Sequence, residues 1–184
     1  KGNFDLIADL QASDAGFWFA CVVDSADNVA ALGRHFTARG QCIKVLLEIG
    51  IEGGRTGVRD AAQARAVLEE IARWPGAVAL AGVEVYEGVA KDEAGVRAVL
   101  RRTLAQWRAL RDTGAFAQLP AILSGAGSAW FDVVAEEFAV LSGDADAQVV
   151  LRPGCYLTHD VGIYRQAAAR IHALPLAVAD RAGA

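Results

Sequence analysis

The chain has 184 residues, 54% of them hydrophobic and 22% charged, with a formal net charge of -4; this suits one soluble domain with a full core, residues 1–184, and argues against disorder. Its arginines are interspersed with acidic residues, so no basic face is set aside for a nucleic-acid backbone. No apolar run approaches the roughly 20 residues that span a bilayer and no secretory signal opens the sequence, so neither nucleic acid nor membrane is expected as a partner and a cytoplasmic setting is.

Short apolar runs alternate with stretches of helical period, the pattern of successive βα units around a parallel sheet. Residues 17–23 read as the first strand. Asp24 and Ser25 offer caps for a helix over 27–39, whose Val29, Leu32 and Phe36 share one face. The second strand, 42–49, runs into a turn holding Gly50, Gly53, Gly54 and Gly57 around Arg55; a helix over 60–74 follows, with Val67, Leu68 and Ile71 as its stripe, ended by Pro75-Gly76. Residues 78–86 form the third strand, and a long helix over 92–111 places Val96, Val99, Leu100, Leu104, Trp107 and Leu110 on one packing face. The fourth strand starts at Pro120 and ends in S-G-A-G-S at 124–128, ahead of a helix-like run over 130–140; the fifth begins at Gln148 and ends in L-R-P-G-C-Y-L-T-H-D at 151–160.

Five such units make either an open doubly wound sheet or part of an eight-stranded β/α barrel. The strand chemistry favours the barrel. Glu48 and Gly50 share one phase of the second strand, Glu84 and Tyr86 one phase of the third, so acidic groups interrupt apolar runs near C-terminal ends, where a barrel keeps its active site. Helices on both faces would leave those carboxylates needing explicit partners.

Three loops carry candidate chemistry. The turn at 50–58 either accommodates a tight connection or lets backbone approach a ligand, with Arg55 offering a planar donor fork to a phosphate, carboxylate or phenolate oxygen. The run Ser124-Gly125-Ala126-Gly127-Ser128 supplies hydroxyls and backbone N–H groups suited to phosphate, or is a capped turn; it fits neither the P-loop nor the dinucleotide fingerprint. In the last motif Pro153 interrupts pairing and Gly154 permits close backbone approach, while Cys155, His159 and Asp160 invite a metal reading that no other His or Cys cluster supports. A capping or hydrogen-bonding role suits His159 better, and His35 and His172 are expected on the surface. Cys21, Cys42 and Cys155 lack the spacing of a disulfide framework or zinc knuckle, and Cys21 and Cys42 are expected as inert buried thiols.

Taken together, E-I-G-I-E-G-G-R-T-G-V-R, G-V-E-V-Y-E-G, L-S-G-A-G-S and L-R-P-G-C-Y-L-T-H-D, in this order at successive strand ends, resemble the D-threonine aldolase / D-serine dehydratase family, in its amino acid deaminase branch. The resemblance covers residues 17–173. It implies an alanine racemase-type pyridoxal-phosphate barrel followed by a β-rich domain, of which this chain is expected to be the last five βα units. Carried over, Arg55 lies beside the pyridoxal ring and its phenolic oxygen, and Tyr86 packs near the ring. Ser124, Gly125 and Gly127 make the first part of the phosphate cup; Gly154, Cys155 and Tyr156 make the second, largely through backbone N–H groups. Arg152 either reaches the ring nitrogen or forms an ion pair with Glu48 or Glu84. Ala126 and Ser128 depart from the commoner S-G-G-G-T-G form, a change that leaves the cup usable.

The Schiff-base lysine of the family, at the end of the first barrel strand, has no counterpart here: Lys1 is terminal, Lys44 opens a strand at the wrong end, and Lys91 leads into an outer helix. The family's zinc-binding His-x-Cys pair belongs to its C-terminal domain, so a metal is expected only in a full-length parent. The parent activity implied is elimination from a D-3-hydroxy amino acid, such as D-serine to pyruvate and ammonia, in a homodimer. Retro-aldol cleavage of D-threonine and a non-catalytic pyridoxal-phosphate carrier are the alternatives.

Overall fold

Residues 2–125, 127–156 and 162–173 are described in the computed structural model. Among them run α1 (Gly2–Ser13), β1 (Ala20–Val23), α2 (Ala26–Arg39), β2 (Ile43–Ile49), α3 (Ala61–Ala72), β3 (Val78–Val85), α4 (Glu93–Asp112), β4 (Ala121–Gly125), α5 (Phe131–Phe138), β5 (Ala147–Leu151) and α6 (Ile163–His172). Local chemistry sets the helix starts: the side chains of Ser25, Asp60 and Asp92 accept the backbone N–H groups of Asn28, Gln63 and Gly95, meeting donors that the first turn leaves unpaired. Gly40, in the left-handed region at φ 64°, closes α2.

The five strands are parallel and lie in the order β1-β2-β3-β4-β5. Parallel crossovers are right-handed, so a sheet wound in one direction carries its helices on one face. The packing agrees. Val45, Leu47, Val83, Val85 and Leu123 are buried in the same cluster as Val29, Phe36, Val67, Leu100, Trp107 and Phe138 from the helices. The opposite face has a separate small cluster of Leu46, Ala81 and Ile122, with Ala20 and Val150 against it. This is a barrel segment, as the strand chemistry predicts, and not a doubly wound sheet.

One irregularity sets the chemistry of the inner face. Val45 pairs with Leu80 but Leu46 pairs with Gly82, so Ala81 is an extra residue in β3. Before it, Val78 and Leu80 join the helix-facing core; after it, Val83 and Val85 do. The bulge thereby turns Glu84 inward, in line with Glu48 and Ser124.

Several expectations need correction. The first strand begins at Ala20 and not at residue 17; Phe17 and Phe19 stack on each other ahead of it, with ring centroids 6.3 Å apart. Cys42 is exposed and Cys21 only half-buried, though burial still pushes the Cys21 thiol up to about 11. Leu68 is only partly buried. His35 is not a surface histidine: it sits between Phe4 and Phe36, its ring 5.6 and 5.3 Å from theirs. Phe4 belongs to α1, a helix absent from the sequence reading. Its apolar residues are spread around the axis, leaving Leu6 and Leu10 exposed while Ala8 is fully buried. Polar contacts fix it instead, with Gln41 donating to the Ala8 carbonyl at 2.8 Å and Gln11 to that of Cys42 at 3.2 Å.

The bulge leaves no room at Gly82, where a Cβ would lie 2.1 Å from the Ile122 carbonyl oxygen. Gly82→Ala is therefore expected to force β3 and β4 apart and lower the unfolding free energy by ~1–3 kcal/mol, the usual cost of overpacking. Urea denaturation measures this; an unchanged midpoint would contradict the register.

Candidate functional site

Buried polar side chains gather at the C-terminal end of the sheet: Glu48, Glu84, Glu87, Ser124 and Ser128. Glu48, Glu84 and Ser124 are register neighbours on β2, β3 and β4. Arg152, just beyond β5, reaches back across β4 to them. Its Nη2 forms an ion pair with Glu84 Oε1, its Nε donates to Ser124 Oγ at 2.8 Å, and its backbone N–H donates to the Gly125 carbonyl at 3.1 Å. Of the two ion-pair partners expected for Arg152, the structure shows Glu84. Burial holds the Glu84 carboxyl up at about 7, against the lowering influence of Arg152; Glu48 and Glu87 push it further up.

The turn after β2 closes on itself. Gly50 N–H donates to Val58 O at 2.9 Å and Val58 N–H to Glu48 O at 2.8 Å. Gly57 has φ 90°, and a Cβ there would lie 2.3 Å from Gly50 N, so these two glycines serve the closure itself. Three side chains hold it from outside: Asp24 accepts Gly57 N–H at 3.0 Å, Arg59 donates to Gly54 O at 2.7 Å, and Arg102 donates to Gly50 O. Arg55 is left exposed on the rim. It lines a concavity of about 300 Å³ together with Glu48, Gly50, Thr56, Tyr86 and Val89, with Thr56 donating its hydroxyl proton to Glu48. The structure therefore brings Arg55 and Tyr86 together.

The S-G-A-G-S turn behaves differently from expectation at two points. Ser124 Oγ donates to Val150 O at 3.2 Å and accepts from Arg152, so this hydroxyl braces strands. The N–H of Gly127 donates to Glu87 Oε1 at 2.6 Å. Gly127 also lies against Tyr86, since a Cβ there would approach the Tyr86 ring to 2.8 Å. Gly125 ends β4 beneath Val134 and Phe138. Gly154, Cys155 and Tyr156 form a 3-10 turn; among the described residues a Cβ at Gly154 would meet nothing within 4 Å, and the Gly154 N–H donates to Arg152 O at 2.8 Å. Cys155 and Ser128 share a second, smaller concavity with Phe131, Tyr164 and His172, between α5 and α6.

Neither described lysine lines these concavities. Lys44 pairs with Ala20 near the N-terminal end of β2, its ammonium 5.4 Å from the Trp18 ring, and Lys91 is exposed between the 3-10 turn Glu87–Val89 and α4. Lys1, Ala126, His159 and Asp160 lie outside the described residues. Among those described, no group of His, Cys, Asp and Glu is arranged to hold a metal, and no helix is long and apolar enough to cross a membrane. Sequence reasoning assigned no role to Glu87, Arg59 or Arg102. For Glu87 the signal was its place in V-Y-E-G, immediately beyond a strand.

Residues 7–158 match the family model for the alanine racemase N-terminal domain. The chain belongs to this family. The crystal structure of D-threonine aldolase from Filomicrobium marinum is similar, with a TM-score of 0.61 and 27% identity over 89% of this chain and 42% of that one. This chain thus spans about two fifths of that aldolase's length. No curated protein matches it.

The raised Glu84 carboxyl makes stability depend on pH with a definite sign. Its folded pKa, about 7, lies above the ordinary 4.5, so the folded state holds a proton that the unfolded state has released. The contribution is full below about 4.5 and is lost as pH rises through about 7. Glu84→Gln should flatten this decline, whose steepest slope is at most about 1.4 kcal/mol per pH unit. Denaturation of both proteins from pH 4.5 to 8 measures it, and parallel profiles would refute the assignment.

Proposed function

We propose that this chain is the cofactor-holding part of a pyridoxal-phosphate enzyme that eliminates water from a D-3-hydroxy amino acid, D-serine giving pyruvate and ammonia. The observation that carries this reading is that Arg55 and Tyr86 share a concavity with Glu48, whose neighbours in register, Glu84 and Ser124, are tied together by Arg152, at the strand ends of a chain in the alanine racemase N-terminal domain family. Pyridoxal phosphate fits the residues present: Arg55 supplies a donor fork on the rim of a concavity floored by polar groups, and Gly154 leaves backbone open to close approach. Bound there, the cofactor supplies a sink for the negative charge left at the substrate's Cα.

The chain's own residues bind and orient. Arg55 neutralises an anionic oxygen at the rim. Tyr86 packs against the ring and, through Gly127, against the turn that leads into α5. Gly125, Gly127 and the 3-10 turn from Gly154 through Cys155 to Tyr156 direct backbone toward the phosphate, with Ser124 and Arg152 bracing the strands that carry both turns. The covalent lysine, a zinc ion aiding hydroxide departure, and the β-rich domain holding that zinc belong to a longer parent, which acts as a cytoplasmic homodimer.

Retro-aldol cleavage is the second reading, favoured by the D-threonine aldolase among the similar structures. Full-length protein supplied with pyridoxal phosphate separates the two: pyruvate from D-serine supports elimination, and glycine with an aldehyde from D-threonine supports cleavage. The 184-residue chain alone is expected to show neither product nor the absorbance of a lysine-bound cofactor, because Lys44 and Lys91 are misplaced. Turnover of D-serine by the isolated chain would overturn this and return Lys91 to consideration.

Gly154 gives a sharper test. Since a Cβ there meets no atom of the described residues within 4 Å, Gly154→Val should leave the fold intact while weakening pyridoxal-phosphate binding about tenfold or more, ~1.4 kcal/mol. Equilibrium titration of the full-length variant measures this, and unchanged affinity would remove the second half of the cup.

A further inference from the structure

Glu87 is fully buried, yet it is a carboxylate placed against the backbone of the glycine turn. It opens the 3-10 turn Glu87–Val89 directly after β3, and its Oε1 accepts the Gly127 N–H at 2.6 Å, a short, charge-assisted contact. The fit is tight: a Cβ at Gly127 would come within 2.8 Å of the Tyr86 ring and 3.4 Å of Glu87 Oε1. Gly127 therefore docks the turn onto the Tyr86–Glu87 pair. Its amide, one of those a phosphate would use, already has an anionic acceptor inside the protein.

We propose that Glu87 is a built-in competitor for the phosphate subsite, an internal anion that holds the Gly127 amide until a phosphate ester displaces it. The inference rests on the pyridoxal-phosphate reading above. Two anions within ~4–6 Å each raise the cost of holding the other, so a phosphate at this turn has to draw the Gly127 N–H away from Glu87 or bind beside a buried negative charge. Glu87 acts through Gly127 and touches no reacting atom, which makes it a positioning residue. Its charge sets how tightly the phosphate end of the ligand is gripped, and its oxygen keeps the turn in shape when no ligand is present.

Glu87→Gln separates charge from shape, because the amide oxygen still accepts the Gly127 N–H. In the full-length protein this variant should bind pyridoxal phosphate and inorganic phosphate more tightly, by about tenfold, while its affinity for pyridoxal, which lacks the phosphate, stays unchanged. Unchanged or weaker phosphate binding would overturn the inference, as would equal tightening for pyridoxal. If the variant does not fold, the wild-type protein decides: on titration with inorganic phosphate the Gly127 amide proton and the Glu87 carboxyl carbon resonances should move together, and if both stay fixed at saturation the proposal fails. Wild-type protein that binds neither pyridoxal phosphate nor inorganic phosphate would defeat the cofactor reading and this inference with it, whereas wild-type binding without the Glu87→Gln gain defeats the inference alone.

Discussion

A single guanidinium ties the candidate site together. Arg152 stands beyond β5 and reaches Ser124 on β4 and Glu84 on β3, so one side chain couples the ends of three strands. A parallel ladder stops at the last backbone hydrogen bond, and past that point strand ends are free to splay. Arginine is suited to prevent this because its planar fork serves two acceptors in fixed directions, whereas an ammonium is a point charge on a flexible stem. The cost falls on Glu84, whose carboxyl sits deep enough that burial outweighs the attraction of its partner. A paired but desolvated carboxylate of this kind is weak evidence for stability and better evidence for a geometry held for use.

That arrangement depends on the bulge at Ala81. A regular β3 that buried Leu80 against the helices would bury residue 84 there too, since the side-chain period is two. The extra residue reverses the phase, so apolar Val83 and Val85 meet the helices while Glu84 turns inward. Gly82 permits the close approach of β4 that the irregularity imposes. The chemistry of the inner face and the packing of the outer one are thus set by the same insertion.

Much of the fold was legible because it rests on periodic burial. The stripes of α2 and α4, with Val29, Leu32, Phe36, Leu100 and Trp107, are buried as their spacing implies, and the inward acids near strand ends pointed to a barrel segment. What escaped was aperiodic. Helix α1 has no clean stripe and is held by Gln11 and Gln41 binding carbonyls, contacts with no sequence period. The strand reading of 17–23 followed the apolar content of Phe17, Trp18 and Phe19, which stack or lie over Lys44 instead of joining the ladder. In the site, the resemblance singled out Arg55 and Tyr86, and the structure places them on one concavity. The hydrogen-bond partners of Ser124 and Gly127 were not legible, because they come from β5 and from the turn after β3, and proximity across strands is a property of register.

The same partners bear on the proposed function. Elimination and retro-aldol cleavage both leave negative charge at Cα, and both need a base, at Cα–H in one case and at the 3-hydroxyl in the other. The carboxylates described here are engaged: Glu48 with Thr56, Glu84 with Arg152, and Glu87 with Gly127. Each is tied to the scaffold by the interaction that positions it, and Glu84 and Glu87 are buried. On the proposed reading, the residues of this chain act on the part of the chemistry that the two reactions share, the grip on the cofactor, and the choice between the reactions falls to whichever group meets the substrate's hydroxyl.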